Sequence, residues 1–510
     1  MELKTKSHVF YDMSVQRPTV QERTCEVIVS DAQPDILRIC GVTGQLFGTG
    51  PSLAGNGAEF RPVLRAAVLY LPEDGDGICS IPVRTELPFR LELGDAAGEE
   101  SLFGSAVLVS LDARVINPRK VLVRAEAAYQ ACRVCPAELA LPVAAEAAGV
   151  ELLTESWEPR LLCAVGKRAF TVDDSFPLPA SAPALREVLC AKTDFTAGEY
   201  NVIGRRVVFK GALTLTLLYR TVAAETAETS ISFPFSQIAE LEGLEEDAEC
   251  VITLLPTSAE VTAAPDGDGR MLEFSAGCEA QITAYAHRHL EAITDLYATG
   301  QMAAADHSRC GFRSLVRRMH LSTTVRDTAE TSGPVREVRS AEVFLRPLRL
   351  SVTPEGDARL SGEAEVRLSC TDETGEPGLL RRRTPVSLEL GAVEPGELSV
   401  LTETRAENIA VSPAAGSGVE LRFDLSCGVS LFLQNEIDCV TAARLEPFPA
   451  DAPPRPSVVL RAPGPGETLW SVAKRCGSTV RDLAAANGLE TAAPDDPAPA
   501  GRVLLIPKSR

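Results

Sequence analysis

The side chains best able to do chemistry are few here and widely scattered. Cys132 and Cys135 stand at CxxC spacing in "ACRVCPAE". A zinc ribbon needs a second such pair, and a redox motif needs a helix start in a βαβ context. Neither accompanies them, so both are expected to be structural. His287 and His289 are the one close pair among five histidines. Two apart on a strand they share a face, yet no Asp, Glu or Cys at matching spacing completes a ligand set. "RRRT" at 381–384 is a basic cluster in an acidic chain, read as a solvated turn with a partner contact as the other reading. No Gly-rich phosphate loop, nucleophile elbow or isolated acid pair occurs. The expectation is therefore no catalytic residue, no metal, no cofactor and no enzyme activity.

The densest constellation lies at the C-terminus, in "GETLWSVAKRCGSTVRDLAAANGL" (466–489) and "GRVLLIP" (501–507). Thr468 is a good N-cap, and Leu469, Val472, Ala473 and Cys476 follow at i, i+3, i+4 and i+7, so one helical face is apolar. Gly477 stops that helix. Thr479 caps a second, with Asp482 at the capping-box position, and Asn487-Gly488 ends it. Short apolar runs at 458–460 and 503–506 read as strands. The module is strand–helix–helix–strand, small enough to be only marginally stable alone. It carries seven basic residues against five acidic ones from Ser457 on, about +2, whereas the whole chain is −20. A Pro-rich stretch, "EPFPADAPPRP" (446–456), reads as an extended spacer before it.

The other elements belong to something larger. At 510 residues the chain is too long for one core. Its net charge of −20 argues against nucleic-acid and anionic-membrane partners. No stretch approaches the ~18–20 apolar residues of a membrane span, and the first residues hold no signal-peptide run, so a cytosolic chain is expected. Cysteines such as Cys79, Cys163, Cys250, Cys278, Cys370 and Cys427 sit singly in strand-like segments and fit a reducing compartment as small apolar groups.

One arrangement recurs at a spacing of about 150 residues, the size of a domain. Apolar openings around Ile36, Leu185 and Val335 are followed by strand patterns ending at Tyr70, Tyr219 and Cys370. Then come Pro88-Phe89, Pro234-Phe235 and Pro385-Val386, and each unit closes on paired strands. Apolar and polar residues alternate, as in Leu213 to Leu217, which puts one strand face on a core. Turns such as "PDGDG" at 265–269 separate the strands. The fold class expected is mainly β: tandem antiparallel β-sandwich-like domains followed by a small βααβ domain. The divisions are 1–135, 136–300, 301–445, the linker 446–456, and 457–510. "AELALPVAAEAAG" after Cys135 reads as a connecting helix.

The C-terminal residues closely resemble the LysM domain, and the resemblance implies a groove for N-acetylglucosamine-containing glycans, as in peptidoglycan. Carried over, one wall is Gly466, Glu467, Thr468 and Leu469, and the other Asn487, Gly488 and Leu489 with the loop after them. Arg461 and Pro463 replace an aromatic and a Val usual in the first strand, and the loop "ETAAPDDPAPA" (490–500) is longer than usual. The repeats resemble the SPOCS domain of endospore-forming bacteria, on "FPLPASAPALREVLCAKTDFTAGEYNVIGRRVVFKGALTLTLLY" and "DARVINPRKVLVRAEA". The third unit matches more faintly, lacking the aromatic at Cys370. Together these look like the SipL-type spore coat morphogenetic proteins. That resemblance implies assembly on the forespore surface, in the mother-cell cytosol, with a coat morphogenetic ATPase (SpoIVA-like) met through the LysM domain. A glycan is the alternative ligand.

Overall fold

The computed structural model describes residues 1–74, 77–93, 101–223, 225–264, 269–331, 333–375, 377–414, 418–449, 456–489, 493–499 and 501–508. The turn expected at 265–269 and the Pro-rich spacer fall largely outside the described residues.

The first segment holds β1 (Leu3–Val15), β2 (Thr19–Ile28), β3 (Ile36–Phe47), β4 (Ser52–Ala54), β5 (Gly57–Phe60), β6 (Val63–Pro72), β7 (Cys79–Glu86), β8 (Phe89–Glu92), β9 (Ser101–Asn117) and β10 (Lys120–Ala145). The second holds β11 (Val150–Trp157), β12 (Arg160–Pro177), β13 (Leu185–Ile203), β14 (Arg206–Thr221), β15 (Thr226–Glu240), β16 (Glu249–Ala263), β17 (Met271–His287) and β18 (Leu290–Ala298). The third holds β19 (Met302–Ala329), β20 (Val335–Leu345), β21 (Arg349–Val352), β22 (Asp357–Asp372), β23 (Pro377–Ala392), β24 (Leu398–Pro413) and β25 (Val419–Glu446).

One plan is used three times. A meander, β3-β6-β7, β13-β14-β15 or β20-β22-β23, forms one sheet. In the other, a strand before the meander pairs with a strand after it, giving β2-β10-β9, β12-β17-β16 and β19-β25-β24. Strict alternation drives the closure. Leu213, Leu215, Leu217 and Tyr219 of β14 are fully buried against Leu272, Ala276 and Cys278 of β17 in one core. The architecture is mainly β, with tandem antiparallel sandwiches.

The repeat extends to irregularities. β3, β13 and β20 share two bulges at the same offsets, after Ile36 and Ile39, after Leu185 and Val188, and after Val335 and Val338, and β13 has a third after Ala197. The Tyr70 hydroxyl donates to the Pro34 carbonyl at 3.0 Å and that of Tyr219 to the Pro183 carbonyl at 3.0 Å, each 36 residues back. In the third unit Pro334 again stands 36 residues before Cys370 (370 − 334), but a thiol replaces the phenol.

Three two-stranded ribbons tie the sandwiches together. They are β1 with the end of β10, β11 with β18, and the start of β19 with the end of β25. Phe10, Leu139 and Leu141 from the first meet Leu290 and Ala292 from the second and Phe312, Ile437 and Cys439 from the third. The connecting helix expected after Cys135 is thus corrected: Ala137 to Ala145 continue β10 against β1. Leu139 and Leu141 alternate inward, a period of two rather than 3.6. Pro142, which would break a helix, lies at a register shift where a strand tolerates it.

The C-terminal module comprises β26 (Val458–Arg461), α1 (Leu469–Cys476), α2 (Val480–Asn487) and β27 (Leu504–Pro507), a βααβ fold.

Candidate functional site

Elsewhere, the chemistry-bearing residues resolve into structural roles. Cys132 and Cys135 are three apart on β10, so they face opposite sides of the sheet. Burial pushes the Cys132 thiol up to about 12. His289 Nδ1 lies 2.7 Å from the Glu158 carboxylate at the surface. Among the described residues no cluster of three or more His, Cys, Asp or Glu is arranged to hold a metal ion. The "RRRT" segment is not a turn but part of β23. Arg381 bonds the fully buried Glu365 carboxylate, which also accepts from Arg367 at 2.8 Å and from Ser110 of the first unit at 3.0 Å. Arg382 and Thr384 clamp Asp327.

A cavity of about 590 Å³ lies where the three units meet, lined among others by Gln45, Lys192, Glu342 and Arg405. Its cations already have partners. Lys192 pairs with Glu342, and Arg405 pairs with Asp194 at 3.7 Å and donates to the Phe195 carbonyl at 2.6 Å. It is an interface between units.

The C-terminal module is built as its caps dictate. The Thr468 side chain accepts from Ser471 N–H at 3.2 Å and that of Thr479 from Asp482 N–H at 2.9 Å. Gly477 and Gly488 close the helices at φ +67°, where a Cβ would be strained. Leu469, Val472, Ala473, Val480, Leu483, Leu504 and Ile506 form the core. β26 stops at Arg461, two residues before Pro463, which has no N–H to continue a ladder.

Of the residues expected to line a groove, Gly466 is exposed with φ +79° and open space around it. Glu467 is held low by the Gly464 N–H first and by Arg461 and Arg475. Thr468 bridges to Pro497, and Leu469, itself in the core, donates its N–H to Asp496 O at 2.9 Å. Ala498 N–H bonds the Glu467 carbonyl at 2.8 Å and Trp470 N–H the Pro494 carbonyl at 2.9 Å. The first wall is thus laced to residues 494–498 of the enlarged loop. Asn487 turns inward, where its side chain bonds the Leu483 and Leu505 carbonyls at 2.8 and 2.6 Å and accepts from Leu505 N–H at 2.9 Å. Gly488 is exposed, and Leu489 is half-buried against the core.

The residues that reading the sequence missed lie outside the module. Asp295 of β18 accepts from Trp470 Nε1 at 2.8 Å and pairs with Lys474 Nζ at 2.6 Å. The Tyr297 hydroxyl donates to the Ser478 carbonyl at 2.8 Å, and its ring meets that of Trp470 edge-on, centroids 4.7 Å apart. Leu153 of β11 packs alongside. The module therefore sits on the second unit's ribbon through the face of α1 that bears Trp470 and Lys474, leaving Leu469, Val472 and Ala473 for its own core. The only local signal was an acid and an aromatic two apart on one strand face.

Comparison with known families agrees with this geometry. Residues 464–507 match the LysM domain model, and residues 185–263 match the model described as SipL, SPOCS domain. No curated protein and no solved structure matches the chain. Among the described residues no helix is long and apolar enough to cross a membrane. The second unit carries a SPOCS domain of the SipL type and the C-terminus a LysM domain, so the chain has a SipL-like architecture.

Proposed function

We propose that this chain is a non-enzymatic assembly protein of the bacterial endospore coat, working in the mother-cell cytosol at the forespore surface. On this reading its LysM domain docks a coat morphogenetic ATPase (SpoIVA-like). The observation that carries the reading is the seat of the module. Trp470, Lys474 and Ser478 already make a protein contact, with Asp295 and Tyr297 of β18, so the module bears a face that recognises polypeptide rather than sugar alone. The body is also strongly acidic, −22 once the module's +2 is removed from −20.

Glycan binding is the second reading. It is favoured by the exposure of Gly466 and Gly488, and of Ala493, Asp495 and Pro497 in the loop facing Thr468. In either case the contact residues proposed are Gly466, Glu467, Thr468 and Leu489, with Gly488 open beside them and Leu469 and Asn487 shaping the loops from within.

The test compares the full chain with one ending at Pro456. Purified coat ATPase should be retained by the first and lost by the second, while circular dichroism shows the β body still folded. Retention by the truncated chain would count against docking through the tail. Sedimentation of the full chain with purified peptidoglycan, lost on truncation, would favour the glycan reading instead.

A further inference from the structure

We infer that the seat of the LysM module on β18 is a closed state that withholds one face of α1 from protein partners. Asp295 and Tyr297, an acid and an aromatic two apart on one strand face, act as a built-in pseudo-ligand for that face. This rests on the proposal that the module docks a protein.

The module's own elements supply most of what holds it together. β26 and β27 pair only with each other among the described strands, and the module's core is nearly all its own. Its hold on the body is a small set of groups: one carboxylate serving Trp470 and Lys474, one phenol on the Ser478 carbonyl, one edge-on ring pair, and Leu153. Contacts between domains of one chain generally resemble transient interfaces. Closed, Trp470 is 5% exposed and Tyr297 4%. Opened, the module would show an indole N–H and an ammonium on α1 and a bare carbonyl in the turn just after it. The partner that fits carries a carboxylate and an aromatic ring two residues apart on an exposed strand, as β18 does. Such a strand must compete with Asp295 and Tyr297, which are tethered and so present at high effective concentration.

The test leaves the module surface intact. Asp295→Lys removes the acceptor and repels Lys474; Tyr297→Phe is the milder variant. Opening is read by Trp470 fluorescence in a Trp157→Phe background, since the chain has two tryptophans, and by protease cleavage within 446–456. Affinity for purified coat ATPase is read alongside. If the open form is about a tenth of the population, Asp295→Lys should bind the ATPase about tenfold more tightly. Tyr297→Phe should fall between it and the unsubstituted chain. A released Asp295→Lys chain that binds no more tightly overturns the masking. Unchanged fluorescence and cleavage overturn the closed state itself. Release without ATPase binding by any form retires the ATPase as partner and leaves the closed state standing.

Discussion

Lys192 and Glu342 occupy the same position in two different repeats, and their side chains bond each other where the three units meet. Counting seven residues from the start of each bulged strand gives Thr43, Lys192 and Glu342 (36, 185 and 335 plus 7). Thr43 Oγ1 also reaches Glu342, at 2.5 Å. Equivalent positions that touch must lie near the axis relating them. A second triple agrees: Met13, Leu162 and Leu315, opposite Val134, Tyr285 and Phe432, share one cluster. The chain is thus an internal trimer whose axis carries three chemically different side chains. Burial alone would lower the Lys192 pKa, but the Glu342 charge beside it holds the value above normal.

Glu342→Ala should therefore loosen the ring by about 2 kcal/mol, because it leaves the Lys192 charge unpaired in a partly screened site. Pairing it with Lys192→Met should recover most of the loss. Urea denaturation of the two variants checks this. Since the Lys192 pKa is raised, the stabilisation is present at neutral pH and fades only as pH climbs through that raised value.

Tyr219→Phe removes a hydroxyl that satisfies the Pro183 carbonyl and should cost about 1 kcal/mol in thermal or urea unfolding. Tyr70→Phe should cost the same. Cys370→Ser should cost less, since the third unit has already given up the phenol.

Most of the triplication was legible, because alternation, the two tyrosines and the Pro-apolar pairs are local features. The Ala-rich run after Cys135 misled because alanine favours helix, while long-range pairing with β1 decided the matter. Likewise, Arg381 and Arg382 look solvated until β23 sets them beside Glu365 and Asp327. The module's fold was readable from its caps and glycines. Its seat was not, since Asp295 and Tyr297 lie more than 170 residues from Trp470 (470 − 295 = 175 and 470 − 297 = 173).

The third unit should be the acid-sensitive one. The Arg382 hydrogen bond, aided by Thr384, pulls Asp327 from 3.8 down to about 2. A depressed carboxyl contributes stability above its unfolded value and loses it as pH falls from 3.8 towards 2. Asp327→Asn should lower stability at pH 7 and flatten the profile across that window, measured by urea unfolding at stepped pH.

Asn487→Ala should unfold the module without touching a ligand. It removes three bonds that clamp the end of α2 to β27, at about 1 kcal/mol each, in a domain of marginal size. Gly466→Ala instead strains an exposed turn at φ +79° and should leave most of the core intact. Amide exchange in α1 and α2 distinguishes the two. Loss of glycan or protein binding with protection retained, as expected for Gly466→Ala, marks a contact residue; loss of both, as expected for Asn487→Ala, marks a structural one.

The seat of the module should survive mild acid. Burial pushes the Asp295 carboxyl up, but hydrogen bonds from Lys474 and Trp470 outweigh it, helped by the Leu296 N–H, and the net shift is below 3.8. The contact is accordingly complete above that value and is lost only as pH falls through the depressed pKa. Trp470 fluorescence in the Trp157→Phe background should hold steady from neutral pH to about 4 and red-shift below it. Asp295→Asn should shift at neutral pH already, because an amide keeps an acceptor for the indole but gives Lys474 no charge. A transition near pH 6 in the unsubstituted background would mean that a histidine, and not Asp295, governs the contact.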